Sequence, residues 1–349
     1  MWRHICFVLC SLALALQGAL CVQAAERGAS PRVLRTAWLG EHEAFPAWFA
    51  KKTGLDRQAG ATLEMLRFAT GADLVGEERA FDWLVGACGA LPAVASNLSG
   101  DLEIIGIAND ESMANAVLAR ADDPVFADGG AGSLPGVYGS AERVRGKTIL
   151  CPRTTSAHYL LDRWLNALGL AEKDVDIRFM APRKALGAFR SGYGDFLVLW
   201  SPELREALRD GLRVVARSDQ CGAPQMILLV APAKAAARSP EDVSAILRLY
   251  LQAAARLQAM PPQEVAALYR QFCHEWAGVE LSQEEALEEL RQHPMFTRQQ
   301  QLELFGGNAP DSELGRRLAA VREFARRNGE PARDGAAARL NDAYLRAAE

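Results

Sequence analysis

The sequence predicts an α/β protein of two lobes, each a mostly parallel sheet flanked by helices, and three observations carry that prediction. Half of the 349 residues are hydrophobic and 23% are charged, which is enough apolar material for a large core and too much for a disordered chain. At 37.9 kDa the chain exceeds the usual size of one domain. Short apolar runs alternate with amphipathic stretches in two series, parted by a Gly- and Pro-rich segment.

The first series reads as a strand over 33–39, a helix ending at Gly54, a strand over 62–68, a short helix, and a strand over 81–87. A short helix over 92–98 and a strand over 102–108 close it, and 128–139 is the separating loop. The second series has strands over 147–151, 175–180, 196–200 and 212–216, with helices over 157–168, 183–190 and 202–209 between them. Gly192 and Gly211 follow helix ends as C-terminal caps do. A strand over 226–230 comes next, and from Ser239, where Pro240 opens the first turn, the pattern is helical. A loop over 326–337 precedes a last helix at 340–348.

The first 24 residues read as a secretory signal: a positive start at Arg3, an apolar run over 5–16, and small residues at Val22 and Ala24 where signal peptidase cuts. The mature chain then begins at Ala25 and is periplasmic; an uncleaved anchor helix is the alternative reading. Cys6, Cys10 and Cys21 leave with the signal, and Cys88, Cys151, Cys221 and Cys273 remain. Their scatter and the lack of any C-x-x-C favour buried free thiols over a disulfide framework.

Thirty-nine basic against 43 acidic residues, with no basic stripe, argue against nucleic acid as a partner. No H-E-x-x-H, G-x-S-x-G, S-x-x-K or Walker-type glycine loop occurs, so no catalytic residue is assigned. The histidines (His4, His42, His158, His274, His293) include no pair on one helical face, so no metal site and no cofactor are expected. Glu284, Glu285, Glu288 and Glu289 read as a solvated helix face.

Binding is better represented. A buried strand stops at Pro152, and Thr154, Thr155 and Ser156 follow at the start of an amphipathic helix whose free N–H groups suit a polar or anionic group. The alternative is that Thr155 or Ser156 merely caps the helix. In the first series Gly86 and Gly89 lead into Ala90 and Pro92, a glycine turn opening a helix. Asn109-Asp110-Glu111-Ser112 and Trp200-Ser201-Pro202-Glu203 stand at carboxyl ends of strands, where open α/β sheets hold ligands.

The stretch G-K-T-I-L-C-P-R-T-T-S-A-H-Y-L-L from Gly146, with F-L-V-L-W-S-P from Phe196 and F-D-W-L-V-G-A-C-G-A-L-P-A from Phe81, resembles the periplasmic substrate-binding proteins of nitrate, sulfonate and taurine ABC importers. The resemblance implies a type II periplasmic-binding-protein fold, with two lobes joined by two crossing segments near 116–121 and 221–230. Lobe 1 would hold 31–120 and 225–349, and lobe 2 would hold 121–224. The ligand positions it implies are Leu39, Gly40 and Glu41, then Cys88, Gly89 and Ala90, then Asn109 and Asp110, and in lobe 2 Thr154, Thr155, Ser156 and Trp200.

Cys88 and Ala90 depart from the family pattern, where hydroxyl residues are frequent, and acidic Glu41, Asp110 and Glu111 near the cleft speak against a simple inorganic anion. The implied function is a monomeric, non-enzymatic solute-binding component of an importer that serves a membrane permease and an ATPase. Its ligand would be a small polar organic molecule, sulfonate-, amino-acid- or amine-like, with Trp200 packed on its body and Asp110 or Glu111 pairing an amino group. The rival readings are a thiamin-precursor (pyrimidine) binding or synthesis protein, which would need His158 and Cys88 in the cleft, and a periplasmic sensory module.

Overall fold

A computed structural model describes residues 32–76, 82–94, 102–128, 134–329 and 339–348. The signal segment lies outside the described residues, as do most of the loop read at 326–337 and the end of the helix read at 92–98. Two sheets form. The first holds β1 (Arg32–Trp38), β2 (Ala61–Arg67), β3 (Val85–Gly89), β4 (Leu102–Asp110), β10 (Met226–Pro232) and β11 (Arg339–Leu340), in the order β11-β4-β10-β3-β1-β2. The second holds β5 (Asn115–Ala119), β6 (Thr148–Cys151), β7 (Asp176–Phe179), β8 (Phe196–Trp200) and β9 (Arg213–Arg217), in the order β7-β6-β8-β5-β9.

Parallel pairs β1–β2, β1–β3, β6–β7 and β6–β8 build the frame of each sheet. The inner strands β3, β6 and β8 are almost wholly buried, as helix cover on both faces requires, whereas the edge strands β2 and β7 carry exposed polar residues. In the second sheet the alternation of side chains feeds two cores: Val117, Ile149 and Val198 pack with Trp164 on one face, while Leu118, Leu150, Leu197 and Leu199 pack with Phe189 on the other. In the first lobe the long helix Pro240–Ala259 covers the sheet, with Tyr250 stacked on Trp38 at 5.5 Å between ring centroids.

One strand in each sheet runs against the others, because it carries the chain in from the opposite sheet. β10 is antiparallel to β3 and β4, and β5 is antiparallel to β8 and β9. The segment read as a crossing at 116–121 is therefore mostly strand, and the first crossing lies earlier, over 111–114, between β4 and β5. The second lies over 218–225, starting before the expected 221. The two crossings are bonded to each other: Glu111 N donates to Gln225 O at 3.0 Å, and Gln225 N donates to the Ser112 hydroxyl at 2.8 Å.

Smaller differences concern the ends of elements. β3 starts at Val85 rather than 81, and the next helix, Ala90–Val94, starts two residues before Pro92. The helix Glu313–Arg327 runs past 326, and Asn328 closes it with its side chain on Phe324 O. Arg327 pairs with Asp162 of the second lobe, and Phe324 packs on His158 and Tyr159, so the lobes meet outside the crossings as well. The four described cysteines are buried free thiols. No described helix is long and apolar enough to cross a membrane.

Candidate functional site

Five strand ends converge between the sheets. β1 ends in the turn Leu39–Glu41, where Leu39 N donates to Glu43 Oε1 at 3.0 Å and fixes the backbone. β3 ends at Gly89, β4 at Asp110, β6 leads through Pro152 to the helix Ser156–Ala167, and β8 ends at Trp200. Together they enclose a cleft of about 340 Å³. Leu39, Glu41, Gly89 and Ala90 line it from the first lobe, Glu111 from the first crossing, and Thr154, Thr155, Ser156 and Trp200 from the second lobe. Gln225 of the second crossing joins them and donates from its side chain to Ser156 O at 3.1 Å.

Glu41 and Trp200 also line two neighbouring spaces. These are a chamber of about 40 Å³ and an open groove of about 950 Å³ that Arg67, Arg153 and Phe179 border. The chamber is walled by His42, Glu43, Asn109, Arg205, Glu289 and His293. Trp200 Nε1 donates to Glu41 Oε1 at 3.3 Å, a bond from one lobe to the other across the mouth of the chamber.

The acids here sit in a poor environment for charge. Burial, with Glu203 and Glu289 nearby and against the Trp200 bond, pushes the Glu41 carboxyl up to about 7. Burial followed by the charge of Glu41 raises Glu111 to about 8. Glu43 is raised well above the carboxylate range by burial, then by Glu41. His42 is held well below its ordinary value by burial and by His293, whose ring stacks on it at 5.0 Å, so it is a neutral imidazole.

Several expected positions need correction. Cys88 lines none of these spaces: its thiol is fully buried in the first core, and burial raises it to about 12. Asp110 is turned into its own loop, where its carboxylate accepts Ser112 N at 2.7 Å. Gly40 and Asn109 border the adjoining spaces and not the main cleft. Thr155 is the helix cap: its hydroxyl accepts His158 N at 3.4 Å and donates to Pro152 O at 2.9 Å. Gly86 serves packing, since a Cβ there would stand 3.0 Å from Ala37 O, whereas a Cβ on Gly89 would touch only Pro92, at 3.8 Å.

Glu289 is not on a solvated face. It is buried, accepts from the Ser201 hydroxyl at 3.0 Å and pairs with Arg205 at 3.4 Å, both from the other lobe. Its signal was present, because buried Ala286 precedes it by three residues and buried His293 follows by four, the spacing of one helical face. His42, Glu43, Arg205 and His293 were missed because the chain brings them together only in three dimensions. Gly71 was missed as well; it borders the cleft, and a Cβ on it would stand 2.8 Å from Pro92 Cγ. His158, on the helix Ser156–Ala167 and bonded to Glu172 at 3.0 Å, and Cys88, in β3 of the other lobe, line no part of the cleft, so the cluster that a pyrimidine-processing site would need does not form.

Two α/β lobes, each sheet completed by a strand crossing from the other, with a cleft at their strand ends, define the class of two-lobed solute-binding folds. The fold is that of ABC-transporter periplasmic binding proteins. No family model matches the sequence. Over 251 residues it is 24% identical to a putative ABC transporter periplasmic binding protein of Brachyspira hyodysenteriae, covering 70% of this chain and 72% of that one. Over 201 residues it is 25% identical to the taurine-binding periplasmic protein of Escherichia coli, covering 56% of this chain and 58% of the other.

Among solved structures, the alkanesulfonate-binding protein SsuA from Xanthomonas axonopodis pv. citri, bound to MOPS, superposes with a TM-score of 0.62 at 18% identity over 89% of this chain and 97% of its own. The desulfurization enzyme DSZB shares the fold too, with a TM-score of 0.59 at 14% identity over 91% of this chain and 98% of its own.

Proposed function

We propose that this chain is the exported solute-binding component of an ABC importer, which captures a small polar organic molecule in the periplasm and passes it to a permease driven by an ATPase. The observation that carries the reading is the cleft itself, whose walls come from strand ends of both lobes, so that one small molecule touches both at once. Similarity to binding proteins of taurine and of unspecified solutes supports it.

Capture follows from the geometry. The start of the helix Ser156–Ala167, with Thr154 and Ser156 at the cleft, faces the polar part of the solute, and Trp200 offers it an indole face. A solute held by both lobes gains contacts only when they are together, so it favours the closed arrangement. The reading includes the absence of turnover. That claim is worth testing, because an enzyme shares the fold.

The test is a thermal-shift screen of sulfonates, amino acids, amines and pyrimidines, followed by chromatography of the best hit after long incubation with the protein. A saturable rise in melting temperature with the solute recovered unchanged is the expected result. Conversion of the solute, or no shift with any class, overturns the reading.

A further inference from the structure

The acidic end of the cleft specifies charge. We propose that the part of the solute that enters between Glu41 and Glu111 is a cationic nitrogen, an ammonium, amidinium or protonated heterocycle, held by those two carboxylates and by the side-chain oxygen of Asn109. This rests on the solute-binding reading and names the ligand chemistry of the same site.

Three acceptors meet there. Glu41 and Glu111 line both the cleft and the inner chamber. Asn109 lines the chamber beside them, is 1% exposed, and its Oδ1 has no hydrogen-bond partner among the described residues while its Nδ2 is turned to Asp110 O at 3.4 Å. A buried amide oxygen without a donor is costly, and a ligand N–H supplies one.

The surrounding charges do not offset the two carboxylates. On the segment after β1, His42 is neutral and Glu43 is a further acid, bonded to Leu39 N. Beside Glu111, Asp110 is acidic. From the helix Glu203–Arg209, Glu203 pairs with Arg183 at 3.5 Å and Arg205 pairs with Glu289 at 3.4 Å, an ion pair in which Arg205 Nη1 makes no hydrogen bond to the described residues. The helix Gln283–Gln292 brings Glu289, whose charge Arg205 offsets, and His293 at its end donates from Nδ1 to Glu289 O at 2.8 Å. Arg153 also lines the cleft, as an exposed cation laid over the Phe179 ring at 4.6 Å. A sulfonate at this end would hold both carboxyls in their neutral form, whereas a cation would be paired by their ionised forms.

The pairing has a proton signature. Burial keeps Glu111 largely protonated near neutral pH and Glu41 about half so. A cation arriving beside them favours the ionised forms, so protons leave as it binds, and affinity rises with pH by up to about tenfold per unit for each proton released. An anion would give the opposite sign.

The experiment is calorimetry on the full mature chain with two aromatic probes of similar size and opposite charge, benzylammonium and benzenesulfonate, between pH 6 and pH 8 in phosphate and, near pH 8, also in bicine. Benzylammonium is expected to bind at least tenfold more tightly at pH 8, to release protons to the buffer, and to lose tenfold or more in Glu111→Gln and Glu41→Gln. Both variants keep the shape of the side chain, and their melting curves show whether they fold. Tighter binding of benzenesulfonate, proton uptake, or a flat pH profile overturns the cation and leaves solute capture standing. Binding of neither probe at millimolar concentration also overturns the cation, and the broader screen above then decides on capture separately.

Discussion

Removing one charge from the cleft should make the empty protein more stable, and the effect should appear only as pH rises. Glu111 is 6% exposed and titrates near 8 in the fold, against an ordinary value of 4.5. A folded pKa raised above the unfolded one means that the folded chain holds the proton more tightly. Its contribution is intact below the unfolded value and is lost as pH climbs from about 4.5 to about 8. At about 1.36 kcal/mol per pH unit the full span is roughly 5 kcal/mol, and the mutual influence of Glu41 and Glu111 brings the share of one residue to about 2–5 kcal/mol. Glu111→Gln has the same shape and does not titrate. Its melting temperature should match that of the parent near pH 5 and exceed it by roughly 3–8 °C at pH 8, taking the unfolding entropy usual for a chain of this size. Differential scanning calorimetry of both proteins across that range is the assay. Parallel curves would refute the argument, because they would mean that Glu111 is ionised and solvated in the fold.

Other consequences are independent of that carboxyl. Thr155→Ala removes the cap of the helix Ser156–Ala167 and should cost about 1 kcal/mol in urea denaturation with no loss of helical circular dichroism; no change in midpoint would return the hydroxyl to the solute. Gly71→Ala pushes a methyl against Pro92 on the cleft wall, with an expected cost of about 1–3 kcal/mol and weaker solute binding, and unaltered affinity would show that the wall yields. Glu172 is held below the usual carboxylate range chiefly by the bond from His158, so it stabilises the fold above the unfolded carboxyl pKa and the gain is lost as pH falls through the folded value. Glu172→Gln should therefore flatten the acid limb of the stability profile, and an unchanged limb would count against the pair.

The sheets were legible because their inner strands are buried on both faces and read as apolar runs bounded by turn residues, as in Phe196–Trp200. β5 was not legible as a strand, since Asn115–Ala119 is equally a short apolar linker until β8 and β9 flank it. The cleft residues at strand ends could be named because chain direction fixes where parallel strands stop. Cys88 could not be separated from its neighbours Gly89 and Ala90: whether a side chain at a strand end points to core or cleft depends on a one-residue register. The chamber escaped because His42, Arg205, Glu289 and His293 come from three separate elements, and only the fold sets their rings and charges side by side.

The central claim is capture of an intact solute by both lobes at once. Small-angle scattering of the mature chain, alone and saturated with the tightest solute from the screen, measures it, with the solute quantified before and after by chromatography. The account requires one solute per chain, recovered unchanged, and a bound form no larger than the free one, with any residual opening of the lobes removed. Expansion on binding, or chemical conversion of the solute, would contradict it.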